Sequence, residues 1–140
     1  MNTFTIFEDN KLTQLYIENE AYEGVKRIGA RVACDIGLVT DIAPEILTEP
    51  EQCKSDRVVI FATLGKSPFL DALVTSGKWN SAQIQGKREV YQMQVVSAPF
   101  GNALSVKEAL VIVGSDKRGT IYGMFHLSEL CGVSPLIYWG

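Results

Sequence analysis

RVVIFATLGKSPFLDALVTSG, residues 57–77, is the stretch on which the fold turns. Positions 57–64 are almost entirely apolar and β-branched, the composition of a strand covered on both faces, which predicts a central strand. Ser67 then offers an N-cap, Pro68 an N1 proline, Leu70, Leu73 and Val74 an apolar stripe, and Gly77 a C′ residue, so a short helix follows the strand directly. The pattern recurs at ALVIVG, 109–114, a second buried strand, followed by a helix from about Lys117 to Cys131 that Gly132 should end.

Working outward, LTQLYIE at 12–18 reads as a strand, with FTIF at 4–7 either a weaker partner or a leader. Asn19 looks like an N-cap, with Glu20 and Glu23 in a first turn where the helix dipole favours negative charge. Val25, Ile28, Val32, Ile36 and Val39 recur every three or four residues, predicting an amphipathic helix to about Leu38. EILTE, between Pro44 and Pro50, is a short edge strand at most, and EPEQCKSD at 49–56 is an exposed polar loop. GKWNSAQIQGKR at 77–88 reads as a surface connection anchored by Trp79 and Ile84, EVYQMQVVS at 89–97 as a strand with one wetter face, and APFGNALSVKE as a turn or hairpin connection. The alternation implies one α/β domain of two or three layers, with about three helices on a mixed sheet, parallel at its centre with room for an antiparallel edge.

Composition narrows the function classes. A chain of 140 residues fits a single domain spanning 1–140, and 46% apolar with 21% charged residues is ordinary globular usage. The net charge of −3 and the lack of a basic stripe leave phosphate attraction without a source, so no nucleic-acid partner is expected. The apolar runs are far shorter than the roughly 20 residues that span a bilayer, so no membrane partner is expected either. MNTFTIFEDN has no basic region ahead of an apolar stretch, hence no export signal in this chain. Cys34, Cys53 and Cys131 lack a metal-ligand rhythm, and burial as small apolar residues is their expected role.

Two segments, TLGKSP at 63–68 and GSDKRGT at 114–120, share one plan: a buried strand, a short polar loop and a helix start. In parallel sheets such loops gather at the carboxyl ends of the strands, where helix amino termini offer free N–H groups. Lys66, Ser67, Asp116, Lys117 and Arg118 are therefore the candidate binding or interdomain-contact residues, against the plainer reading of two capped turns with solvated basic neighbours. GKS at 65–67 does not complete a phosphate-binding loop, because Ile60 stands where that motif needs glycine. His126 is the only histidine and sits mid-helix beside Tyr122 and Glu129, an exposed or half-exposed side chain. Asp35, Asp41 and Asp71 fall at a helix end, a loop and a helix face, so no carboxylate pair for glycoside hydrolysis is recognised. No catalytic residue, metal ligand or cofactor is expected. Gly119 and Gly123 each cost helix stability by roughly 1 kcal/mol relative to alanine, which makes sense if that helix lies close against the sheet.

TLGKSPFLDAL at 63–73, GKREVYQMQVV at 86–96 and ALVIVGSDKRGTIYGMFHLSELCGVSP at 109–135 closely resemble the amino-terminal domain of family 115 glycoside hydrolases, the xylan α-glucuronidases. More loosely, Gly119 to Gly123, Gly-x-x-Tyr-Gly, is similar to the domain preceding the catalytic barrel in several other glycosidase families. The resemblance implies an ancillary domain whose partner is a (β/α)₈ barrel of the same polypeptide, acting on glucuronoxylan in a periplasmic or secreted parent. A barrel typically needs about 250 residues, so this chain is expected to lack it and to be inactive alone. No position here matches a catalytic residue, and His126 stands where the family tends to have an aspartate. Two other functions remain open: a stand-alone module whose helix amino termini capture a uronate or phosphate, and a protein that uses the fold only for association.

Overall fold

A computed structural model describes residues 2–5, 7–8, 11–101, 104, 106–133 and 136–139. In chain order the elements are β1 (Asn2–Thr5), β2 (Phe7–Glu8), β3 (Lys11–Leu12), β4 (Gln14–Ile17), α1 (Glu23–Thr40), β5 (Ile46–Leu47), a 3₁₀ turn (Pro50–Gln52), β6 (Arg57–Thr63), α2 (Pro68–Thr75), β7 (Tyr91–Ser97), β8 (Glu108–Gly114), α3 (Lys117–Val133) and β9 (Leu136–Trp139). Five strands form the main sheet in the order β5-β4-β6-β8-β7. Neighbours are parallel except β7, which runs antiparallel to β8 with Tyr91 opposite Gly114 and Ser97 opposite Glu108. The domain is α/β, mixed and centrally parallel, as its strand–helix alternation implies.

Strands β6 and β8 are central because neither face of them is polar. Val59, Phe61, Leu110 and Ile112 point into a core with Val25, Val32 and Ile36 of α1 and Met124 and Leu127 of α3. Val58, Ile60, Ala109, Val111 and Val113 point the other way, onto Leu70 and Leu73 of α2 and the loop anchors Trp79 and Ile84. The sheet thus has α1 and α3 on one face and α2 on the other. Each fully buried side chain of this size contributes about 1.5–3 kcal/mol relative to exposure, so the two cores together dominate the stabilising side.

Helix α2 follows its local signals closely. Ser67 caps it by accepting from Leu70 N at 3.0 Å, and Pro68 opens it. Gly77 takes a positive φ of 81°, and its N–H and that of Lys78 bond back to Val74 and Leu73, closing a Schellman motif. Val74, expected in the apolar stripe, is exposed; Leu70 and Leu73 alone reach the core. Gly119 and Gly123 do permit close packing: an added Cβ would meet the Val90 backbone at one and Ile112 and Tyr91 at the other.

Several expectations need correcting. Helix α1 begins at Glu23 after Tyr22, not at Asn19, and no side chain caps it; residues 19–20 form a turn closed by Ala21 N on the Glu18 carbonyl. Helix α3 continues through Gly132 to Val133. The FTIF segment is divided: Phe4 and Thr5 belong to β1, which pairs antiparallel with β9, while Phe7 belongs to β2 and pairs with Leu12, so the segment is a partner of the strand predicted at 12–18 only at that end. Ile6 and the side chain of Val39 lie outside the described residues. All three cysteines are free, but only Cys131 is buried, Cys53 being half-buried and Cys34 exposed on α1.

Candidate functional site

The carboxyl ends of β4, β6 and β8 lie side by side, and their helices leave on alternating faces. That arrangement is a topological switch point, where open α/β sheets commonly have a crevice for ligands. Here the loops meet directly: Leu64 N donates to the Gly114 carbonyl at 2.9 Å, joining the loop after β6 to the end of β8.

Glu18, the residue after β4, occupies the amino terminus of α2. Its carboxylate accepts from Ser67 Oγ and, at 3.0 Å, from Phe69 N, and the side chain is 6% exposed. The free N–H groups of a helix start favour an anion, and this one already has an anion from the protein itself. Burial pushes the Glu18 carboxyl above its ordinary pKa, outweighing the two hydrogen bonds that pull it down. Ser67 serves both ends of this latch, donating to Glu18 while accepting from Leu70 N.

The second junction takes its cap from its own loop and ties that loop to the chain before β7. Asp116 caps α3 by accepting from Gly119 N at 2.8 Å, and its other oxygen accepts from Glu89 N at 3.1 Å. These two backbone donors hold the Asp116 carboxyl below the usual carboxylate range. Glu89 has a positive φ of 58°, a left-handed conformation that costs energy for a residue with a Cβ, and the Asp116 bond helps to hold it there. Ser115 N bonds to the Val90 carbonyl at 2.8 Å, while Ser115 Oγ accepts from Val90 N at 3.2 Å. Beneath the loop, Thr63 and Thr120 share a buried hydroxyl contact of 2.6 Å, and Thr120 Oγ1 donates to the Ala62 carbonyl.

The five predicted residues therefore come to one edge of the sheet but face different ways. Ser67 is buried and Asp116 partly so, each bound to backbone. Lys66, Lys117 and Arg118 are exposed. Lys66 Nζ lies 5.2 Å from the centre of the Tyr22 ring, a cation–π contact, and Arg118 pairs with Glu89 at 2.8 Å. The Lys117 side chain lies over the start of α1, beside Gly24. His126 is elsewhere, on the flank of α3, with Nδ1 2.8 Å from the Tyr91 hydroxyl.

Sequence reasoning missed Glu18, Tyr22 and Glu89. Glu18 had a usable signal: it is the last residue of LTQLYIE, a carboxylate at the carboxyl end of a buried strand. A separate open groove of about 480 Å³ lies between α2, the 3₁₀ turn and the loop near Phe100, lined in part by Phe69, Leu73, Lys78 and Pro99, and none of the five predicted residues lines it. Among the described residues no helix is long and apolar enough to cross a membrane.

No family model matches the chain, and no curated protein matches it. Among solved structures it is similar to BtGH115A, a family GH115 4-O-methyl-α-glucuronidase with specificity for decorated arabinogalactans. The TM-score is 0.63 at 21% identity, over 95% of this chain. The two share a fold. This chain spans 15% of the length of that one, so the likeness is to a segment of a larger molecule. The fold implied by GSDKRGTIYG and its neighbouring segments is thus the fold observed.

Proposed function

We propose that this chain is an ancillary domain of a larger glycoside hydrolase of the α-glucuronidase type, buttressing a catalytic barrel in the same polypeptide and not catalytic by itself. The observation that carries this reading is the match of nearly the whole chain, 95%, to only 15% of a GH115 glucuronidase. Lys66, Ser67, Asp116, Lys117 and Arg118 form the face turned toward that barrel: the three cations are the contact groups, and Ser67 and Asp116 fix the loops that present them. The parent acts on a glucuronic-acid-decorated polysaccharide, glucuronoxylan being the one implied by the resemblance, and is exported to the periplasm or beyond.

The filled helix amino termini support this reading over a stand-alone anion module, because Glu18 and Asp116 take the positions a uronate or phosphate would need. Pure chain incubated with aldouronic acids should release no 4-O-methylglucuronic acid; measurable release overturns the proposal. Calorimetric titration with glucuronate should give no saturable heat, whereas saturable binding lost in Lys66→Ala or Arg118→Ala supports the module instead. The gene beyond the codon for Gly140 offers an independent check: an open frame encoding a barrel is expected, and an immediate stop codon contradicts the assignment.

A further inference from the structure

The outward face of α3 carries a stripe of exposed side chains, of which only Arg118, through its pair with Glu89, also belongs to a loop junction. Arg118, Tyr122, Phe125 and Glu129 fall within one narrow sector of the helix, and all four are exposed. Tyr122 is 45% and Phe125 40% exposed, two large aromatic side chains less than one turn apart. Aromatic anchors between charged groups resemble the centre and rim of an association surface, where aromatics are enriched and charges set register.

The order of these residues identifies the partner. Arg118 lies four residues before Tyr122, and Glu129 four residues after Phe125, so the spacing is the same read from either end while the charge is opposite. Ile121 and His126, both half-buried, flank the stripe with the same symmetry. A two-fold axis crossing the helix between Tyr122 and Phe125 brings a second α3 alongside in antiparallel orientation. Arg118 of each copy then faces Glu129 of the other, and Tyr122 of each faces Phe125 of the other. Such an isologous contact closes on itself, and antiparallel helix dipoles are mutually favourable. A heterologous partner has no need of this palindromic charge pattern.

We propose that the exposed face of α3 is a self-association surface whose occupant is a second copy of this chain. A single helix pair buries less than the roughly 800 Å² per partner of a standard interface, so the dimer is a weak one, with micromolar dissociation. Arg118 keeps its bond to Glu89 in the pair, since a guanidinium has donors for both carboxylates. The surface shares Arg118 with the loop edge assigned to the barrel, but Tyr122, Phe125 and Glu129 lie on the helix flank alone, so Phe125→Ala and Glu129→Arg test it separately from the ancillary reading.

Sedimentation of the full chain between about 1 and about 200 µM should show a monomer–dimer equilibrium. Arg118→Glu should weaken dimerisation at least about tenfold, and Glu129→Arg likewise, because each places like charges opposite at both ends of the symmetric contact. The chain carrying both reversals should recover affinity to within about threefold of the original, since every contact is again a pair of opposite charges. Phe125→Ala, which leaves the charges in place, should also weaken the dimer, with circular dichroism confirming that each variant is folded. A chain that stays monomeric throughout the range, a dimer indifferent to both reversals, or a double reversal as weak as the singles overturns the proposal.

Discussion

The junctions β6–α2 and β8–α3 start from the same local plan and satisfy their helix amino termini by different means. At α2 the anion comes from another strand: Glu18 reaches across from the end of β4 and is buried with Ser67. At α3 it comes from the preceding residue, with Asp116 partly exposed and also supporting Glu89. The backbones differ in parallel. Gly65, in the first junction, has a φ of 81° and open space around a would-be Cβ, whereas Gly114, in the second, is pressed against the Thr120 backbone. A shared sequence pattern therefore conceals one helix start capped by a carboxylate from another strand and another capped by its own neighbouring residue and packed at close quarters.

The largest effect should come from the tight junction. Gly114→Ala drives its methyl group into Thr120 N and disturbs the Thr63–Thr120 hydroxyl pair, for a loss of about 3 kcal/mol. Gly65→Ala has no such clash and should lose about 1 kcal/mol, the strain of a left-handed alanine. Urea unfolding of both variants tests the contrast, and equal losses contradict the assignment of close packing to the β8–α3 side alone. The ranking should reverse for the carboxylates. Glu18→Ala leaves the buried Ser67 Oγ and the partly buried Phe69 N without this acceptor and should cost about 2 kcal/mol. Asp116→Ala removes a cap that water can partly replace and should cost about 1 kcal/mol. If Asp116→Ala proves the more damaging in thermal unfolding, the cross-strand latch is not the stronger of the two.

What could be read in advance follows the range of the interactions involved. Strands β6 and β8 were legible because burial on both faces leaves an unbroken apolar run, and α2 was legible because Ser67, Pro68 and Gly77 act within one turn of themselves. The start of α1 was misread because Asn19 and Glu20 have the composition of a helix start, while the chain must first turn to leave Glu18 pointing at α2. The pairing of β1 with β9 joins the two ends of the described chain and has no local signal at all. In the site, GSDKRG offers a cap in either Ser115 or Asp116, of which the structure uses Asp116, but the bond from Glu89 had no signal, since that residue lies in a separate connection. Lys66 and Lys117 follow β6 and β8 in sequence and so come to one end of the sheet; that Tyr22 and Gly24 near the α1 start lie beside them depends on where α1 packs.

The smallest effect is also the one that separates the two carboxylates by sign. Glu18 has its folded pKa raised by burial, so the fold prefers the protonated form. Its contribution is fully present below the ordinary glutamate value of about 4.3 and is lost as pH rises through the higher folded value. Asp116 has its folded pKa lowered by two backbone donors, so the fold prefers the charged form. Its contribution is present above the ordinary aspartate value of about 3.9 and is lost as pH falls through the lower folded value. The windows lie on opposite sides of pH 4, and one titrating group changes stability by at most about 1.4 kcal/mol per pH unit. Glu18→Gln keeps the side-chain size and can still accept from Phe69 N, but it no longer titrates. Subtracting its stability profile from that of the unaltered chain should leave a difference that declines as pH rises above about 4.3 and is flat below. The matching Asp116→Asn difference should be flat above about 3.9 and decline toward acid. Urea midpoints measured from pH 3 to 8 give both curves. A flat Glu18→Gln difference means that the carboxylate is solvated and that the amino terminus of α2 is open to an external anion, which returns the stand-alone binding module to contention.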